Sequence, residues 1–262
     1  AIGFSQPDRF IECAKQQMGN PTFKYSVDGK EFRPEAISAI ILERLIKDAS
    51  SRLGRPVKSA VITVPAWFED EGRQATLRAG NKVLNVLGIL SEPTAAALAY
   101  LMSGADIKNK TVLVYDLGGG TFDVSIIRMG EDEDVKELAR NGDVFLGGKL
   151  WDQRIMDRFC EEYESKNGEP LPKSSMAYAN LSIEAEKAKK LLTEMTKASI
   201  FVTHEGKQAR LRFTREEFEY WTADLLERTR STIENTLNRA SLTADQIDIV
   251  LPVGGSTNMP AV

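Results

Sequence analysis

Residues 111–128 read Thr-Val-Leu-Val-Tyr-Asp-Leu-Gly-Gly-Gly-Thr-Phe-Asp-Val-Ser-Ile-Ile-Arg, and no other stretch constrains the fold as strongly. Two β-rich runs flank Gly118, Gly119 and Gly120, with Asp116 before them and Asp123 after them. Consecutive glycines cost backbone entropy, which a folded chain tolerates where it turns sharply or where something comes close to the backbone. An acid beside them at a strand end fits a phosphate and its metal, which is the preferred reading. A plain glycine-rich hairpin turn is the alternative.

The chain around this stretch has 262 residues, long enough for one large domain or two lobes with separate cores. Its net charge of −4 argues against a nucleic-acid binder. Cys13 and Cys160 lie far apart, suggest no disulfide framework and fit a reducing, cytoplasmic setting. No apolar run approaches the roughly 20 residues that a membrane span needs. Ala1-Ile2-Gly3-Phe4 has neither an initiator Met nor a signal-peptide pattern, and Met259-Pro260-Ala261-Val262 stops where a helix would start. The chain therefore reads as an excised piece.

Strands and helices alternate along it, which makes the class α/β. Residues 23–27 and 31–32 read as short strands joined at Asp28-Gly29. From Pro34 to Gly54 the pattern is helical, with Ile37, Ile40, Ile41, Leu45 and Ile46 as an apolar stripe. A strand over 59–64, a helix over 69–79, a strand over 86–90 and a helix over 95–102 follow, the last capped by Ser91 or Thr94. A polar loop at 103–110 marks a lobe boundary. Beyond the central hairpin we expect a strand over 134–140 turning at Asn141-Gly142, then helices over 150–165 and 176–193. A hairpin over 198–213 comes next, followed by a helix from the capping box at Thr214 to Ala240 and a strand over 247–253.

Glycine-bearing tips at 118–120, 147–148 and 254–255 punctuate one lobe, as a nucleotide cleft built from loop backbones requires. The glycines at 118–120 join two strands and do not open a helix, so neither a P-loop nor a Rossmann fingerprint is present. Asp116, Asp123 and Glu92 are candidates for Mg²⁺, which prefers one or two carboxylates with waters and phosphates. Glu92 would equally favour a helix dipole. The Glu186-Lys187-Ala188-Lys189-Lys190 run also fits a solvated, ion-paired helix face. His204 is the sole histidine, which argues against zinc and against a Ser-His-Asp triad.

Taken together, Val114-Tyr115-Asp116-Leu117-Gly118-Gly119-Gly120-Thr121-Phe122-Asp123 resembles the second phosphate motif of the heat-shock protein 70 (DnaK-type) chaperones. Val61-Ile62-Thr63-Val64-Pro65-Ala66-Trp67-Phe68, Glu92-Pro93-Thr94-Ala95, Asn141-Gly142-Asp143 and Val253-Gly254-Gly255-Ser256-Thr257 extend the likeness in the family's order. The resemblance implies an actin-like (ribonuclease H-like) ATPase fold of two lobes around an ATP cleft. Residues 1–106 would be a partial first lobe, divided into 1–57 and 58–106. Residues 107–262 would be the second lobe, with a sheet part at 107–167 and 227–262 and a helical and hairpin part at 168–226.

By the same resemblance Gly118, Gly119, Gly120 and Thr121 would hold the β- and γ-phosphates. Asp116 and Glu92 would hold waters on Mg²⁺, and Asp123 would help bind K⁺. Lys15 resembles the family's catalytic lysine, which orients the attacking water. Glu186, Lys189, Lys190 and Thr193, with Gly254, Gly255, Ser256 and Asn258, would contact adenosine. Pro65 and Arg73 match the switch proline and relay arginine that couple ATP to a peptide-binding domain. Implied partners are that domain, a J-domain co-chaperone, a nucleotide-exchange factor and unfolded client peptides; no nucleic acid and no membrane is implied.

The sequence also departs from the family. The Asp-Leu-Gly-Thr-Thr loop that usually supplies half the phosphate grip has no counterpart here, so this piece is expected to bind ATP weakly and hydrolyse it poorly. Asn258 stands where an arginine usually stacks on adenine, Lys149 and Leu150 replace an acidic pair, and Pro252 interrupts a central-looking strand. These point to a divergent, bacterial-like member. An ATPase region of such a chaperone is the first expectation. A non-hydrolysing nucleotide-binding regulator is the second, and a small-molecule kinase or actin-like relative the third.

Overall fold

A computed structural model describes residues 9, 11, 13–131 and 134–262. The chain forms two compact units, residues 1–112 with 127–137 and residues 113–126 with 138–262. In the first, a short 3-10 turn at Ala14–Gln17 is followed by the antiparallel strands β1 (Tyr25–Val27) and β2 (Lys30–Phe32). Asp28 and Gly29 between them both have positive φ, the geometry that makes Asp-Gly a hairpin signal. Helix α1 (Pro34–Leu53) starts at its proline and stops at Gly54, whose φ of 64° is left-handed. Strand β3 (Ser59–Val64), helix α2 (Asp70–Asn81) and strand β4 (Asn85–Ser91) form a parallel β-α-β unit. Helix α3 (Glu92–Met102) follows at once, with the Ser91 hydroxyl accepting the Thr94 N–H at 3.3 Å as its cap.

The apolar stripe of α1 does not behave as an ordinary core face. Ile40, Ile41 and Leu45 are each more than half exposed, because the helix packs on α2 through a different side. There Glu35, largely buried, meets the Arg78 guanidinium at 3.0 Å. Burial works against the Glu35 carboxylate, but hydrogen bonds from its own backbone N–H and from Arg78 hold it below the usual glutamate range.

The remaining elements are β5 (Thr111–Leu117), β6 (Phe122–Met129), β7 (Val135–Asp143), α4 (Gly148–Asn167), α5 (Met176–Leu191), β8 (Lys197–His204), β9 (Lys207–Thr214), α6 (Arg215–Trp221), α7 (Ala223–Ala240) and β10 (Ile249–Val253). A 3-10 turn, Gly255–Asn258, follows β10. One sheet has the order β10-β5-β6-β7, and β8 pairs with β9 as a separate antiparallel hairpin. Strands β5 and β6 are buried on both faces over most of their length, which is why apolar residues occupy successive positions at 112–115 and at 126–127 instead of alternating with polar ones. The core of the second unit joins Phe122 and Val124 to Trp151, Ile155 and Phe159 of α4, Leu181 and Ala185 of α5, and the inward side chains of β8 and β9.

Three expectations are corrected. Strand β7 runs straight through Asn141-Gly142 and does not turn there. Gly142 lies against β6, where a Cβ would stand 2.8 Å from the Phe122 carbonyl oxygen, so strand pairing overrides the local turn preference. The helix expected over 215–240 is two helices, broken at Thr222. That residue is buried and its hydroxyl donates back to the Phe218 carbonyl at 2.9 Å, competing with the helix ladder. Pro252 sits on β10, an edge strand among the described residues and not a central one, the kind of strand in which a sheet tolerates proline.

Candidate functional site

Within the second unit the three glycine tips meet. The Gly148 N–H donates to the Gly118 carbonyl and the Lys149 N–H to the Gly119 carbonyl, both at 2.9 Å. The Ser256 hydroxyl donates to the same Gly118 carbonyl at 2.9 Å. Two glycines make this approach possible. A Cβ on Gly147 would stand 2.5 Å from the Gly120 nitrogen, and one on Gly254 would stand 2.3 Å from the Leu117 carbonyl oxygen. Gly254 also has φ of 89°, a conformation that side chains resist. Its bareness brings the end of β10 to Asp116, whose Oδ1 lies 2.9 Å from the same virtual Cβ.

Gly118 and Gly119 are different. Neither has positive φ, a Cβ on Gly119 would meet nothing within 4 Å, and one on Gly118 would touch only the Thr121 carbonyl at 3.7 Å. The turn itself, closed by the Gly118 N–H to Thr121 carbonyl bond at 3.1 Å, does not need them. Because a trans peptide points its C=O and the following N–H in opposite directions, fixing the Gly118 and Gly119 carbonyls on the start of α4 aims the Gly119 and Gly120 N–H groups the other way. Two successive N–H groups over bare glycines form a concavity suited to an anion.

Beside the loop, Lys189 of α5 is buried, its ammonium 2.8 Å from the Gly148 carbonyl and 2.8 Å from Asp152 of α4. Glu186 and Lys190 form an exposed ion pair at 2.7 Å. Hydrogen bonding from Lys190 pulls the Glu186 carboxyl below its usual range, and the Lys189 and Lys149 charges add to the pull. Thr193 follows the end of α5, where the Arg215 side chain caps the Leu192, Thr193 and Met195 carbonyls. Asn258 folds back, its amide donating to the Gly255 carbonyl at 3.0 Å. Asp123 is buried on β6 against Gly142.

In the first unit Lys15, on the 3-10 turn, reaches both oxygens of Glu92, at 3.0 and 3.1 Å. Glu92 is the first residue of α3, so this carboxylate favours the helix dipole and pairs with the lysine at once. A Cβ on Gly19 would stand 2.7 Å from the Gly72 nitrogen, which seats the Lys15 turn on the start of α2. On α2 the Arg73 Nε–H donates to the Phe68 carbonyl at 3.1 Å, and the Phe68 N–H donates to the Pro65 carbonyl at 3.1 Å. Lys15 thus meets Glu92, seventy-seven residues away, while Pro65 and Arg73 are linked through the backbone of Phe68; neither arrangement is visible from spacing alone.

Sequence reasoning missed Asp152. The signal was there in the helical period: residues 148, 152, 155 and 159 share the buried face of α4, so an acid at 152 must be buried and in need of a partner. Among the described residues no three His, Cys, Asp or Glu side chains gather as a metal cluster, and no helix is long and apolar enough to cross a membrane.

Comparison with known proteins identifies the family of the chain. The model of the Hsp70 protein family matches residues 8–262. The chaperone protein DnaK of Thermotoga neapolitana is 46% identical over 264 residues, covering 98% of this chain and 44% of that protein. The chaperone protein DnaK of Thermosipho melanesiensis is likewise 46% identical, covering 97% of this chain and 44% of that protein. The chain thus spans less than half the length of the curated relatives it matches.

Proposed function

Because the chain belongs to the Hsp70 family, with its actin-like α/β ATPase fold, we propose that it binds ATP and ADP on the glycine loop and hydrolyses ATP. The observation that carries this reading is the pair Gly118 and Gly119, bare without any need of left-handed φ or packing, with their carbonyls tied to the start of α4 so that the two following N–H groups face away from it. Gly118, Gly119, Gly120 and Thr121 receive the β- and γ-phosphates. Lys15 orients the attacking water and stabilises charge gathering on the γ-phosphoryl group, a positioning and electrostatic role. Glu186, Lys189, Lys190 and Thr193 take the adenosine, with Gly254, Gly255, Ser256 and Asn258.

The acidic side chains fit the expected ions by chemistry. Asp116 and Glu92 would hold Mg²⁺ through waters, and Asp123 would help hold K⁺; one or two carboxylates completed by water and phosphate is the way Mg²⁺ is commonly bound. The ion supplies charge neutralisation along the phosphates. In the wider protein, Pro65 and Arg73 would pass the nucleotide state to a peptide-binding domain, and the seating of the Lys15 turn on the helix of Arg73 supports that route. Clients would be unfolded peptides, with a J-domain co-chaperone and an exchange factor as further partners.

Turnover measured with ATP in a full-length version of the protein and in its Lys15→Ala variant tests the reading. We expect a loss of at least about 100-fold, in the range of a general catalytic group. Unchanged turnover would remove Lys15 from the mechanism. A second reading, nucleotide binding without efficient hydrolysis, is favoured by Asn258, which stands where the family usually has an arginine and whose amide donates to the Gly255 carbonyl. Calorimetric ADP binding with no turnover in either protein would select it. Membership of the Hsp70 family sets aside the small-molecule kinase.

A further inference from the structure

We infer that Asp152 is a positioning residue of the nucleotide site, acting through Lys189 to hold the start of α4, and with it the orientation of the glycine loop. The inference rests on the nucleotide reading for its functional consequence, but the brace itself does not. Asp152 and Lys189 are among the few charged residues buried in the described structure, 9% and 8% exposed. A buried ion pair is a poor source of stability, since desolvation offsets most of the attraction; what it does well is to specify geometry.

The geometry it specifies is a short relay. Asp152 fixes the Lys189 ammonium at 2.8 Å, and that ammonium donates to the Gly148 carbonyl at 2.8 Å. The N–H of the same Gly148 donates to the Gly118 carbonyl at 2.9 Å. Gly148 is held on both sides, and the space around it is full: a Cβ there would stand 2.4 Å from the Ser256 hydroxyl oxygen and 3.0 Å from the Lys189 nitrogen. The Gly118 carbonyl is the one whose direction sets where the Gly119 N–H points. The hydrogen bond to Gly148 and the ion pair with Asp152 orient the Lys189 ammonium before any ligand arrives.

If the pair served only to join α4 and α5, its charges would be replaceable by apolar side chains of similar volume at little cost to folding. Asp152→Asn keeps the volume and an acceptor oxygen but removes the charge that anchors the ammonium. We expect amide hydrogen exchange at Gly148 and Lys149 to quicken about tenfold in this variant, more than the change in melting accounts for, and ADP affinity by calorimetry to fall about tenfold. The double variant Asp152→Leu with Lys189→Met keeps the helix contact without ions, so it tests the brace if Asp152→Asn folds poorly. Its melting should hold while the same two amides exchange faster. Native exchange at Gly148 and Lys149 in both variants would overturn the inference. Faster exchange with unchanged ADP affinity would overturn the functional half and leave a structural brace. Absence of ADP binding by the native chain would instead overturn the nucleotide reading, and with it that functional half, while the exchange data still decide the brace.

Discussion

At the scale of single residues, the glycines of the site divide into those the fold requires and those it leaves bare. Gly147 and Gly254 stand where a Cβ would strike backbone at 2.5 and 2.3 Å, and Gly254 has left-handed φ as well. Alanine at either position forces backbone apart, and we expect a loss of about 1–3 kcal/mol or more by chemical denaturation. Gly119 has open space and ordinary φ, so Gly119→Ala should leave stability unchanged or raise it by about 0.4–1 kcal/mol through the unfolded state. Its ATP affinity should nevertheless fall tenfold or more, because the new methyl group occupies the approach to the backbone. A Gly119→Ala protein that is destabilised yet keeps its ATP affinity would reverse this assignment. The three-glycine run was legible as a phosphate loop or a turn; the ordinary dihedral angles and the open space above the loop support the phosphate reading proposed here.

Elements carry the site by where they begin and end. Helix α4 begins at Gly147-Gly148 with its first N–H groups spent on the glycine loop, α3 begins with Glu92, and α5 ends on carbonyls that Arg215 caps. The Thr214-x-x-Glu217 capping box was legible in the sequence and is formed, with both reciprocal hydrogen bonds in place. Thr214→Ala should cost about 1 kcal/mol, read from the denaturation midpoint. A neutral result would mean that tertiary contacts, not the cap, fix the start of α6. The break at Thr222 was not legible, since a threonine inside a helical period tolerates the helix unless burial turns its hydroxyl back on the previous turn. The same holds for Asn141-Gly142, a strong turn signal that becomes mid-strand once β6 lies alongside it.

For the whole molecule, the buried acid leaves a pH signature. Burial pushes the Asp152 carboxyl above its ordinary range, against the opposing pull of Lys189; Glu186 adds to the rise and Lys190 opposes it. A folded-state value above the unfolded one means that the native chain binds the proton more tightly, so this group's contribution to stability is full at low pH and is lost as pH rises through the window. The stability of the native chain minus that of Asp152→Asn should therefore decline as pH is raised through and beyond the ordinary aspartate range. A difference that grows over that range would mean the ion pair outweighs burial. Such a group shows how the two kinds of information divide. Local chemistry determined the α/β order, the hairpins at Asp28-Gly29 and at residues 118–121, the caps and the residue types a phosphate site requires, because periodicity, turn preference and capping act over a few neighbours. Tertiary structure alone decided that Lys15 meets Glu92, that Lys189 is buried on Asp152, that three glycine tips share one set of hydrogen bonds and that Pro252 lies at an edge. Those facts depend on which distant segments exclude water from one another, and no short stretch of sequence contains its own partner.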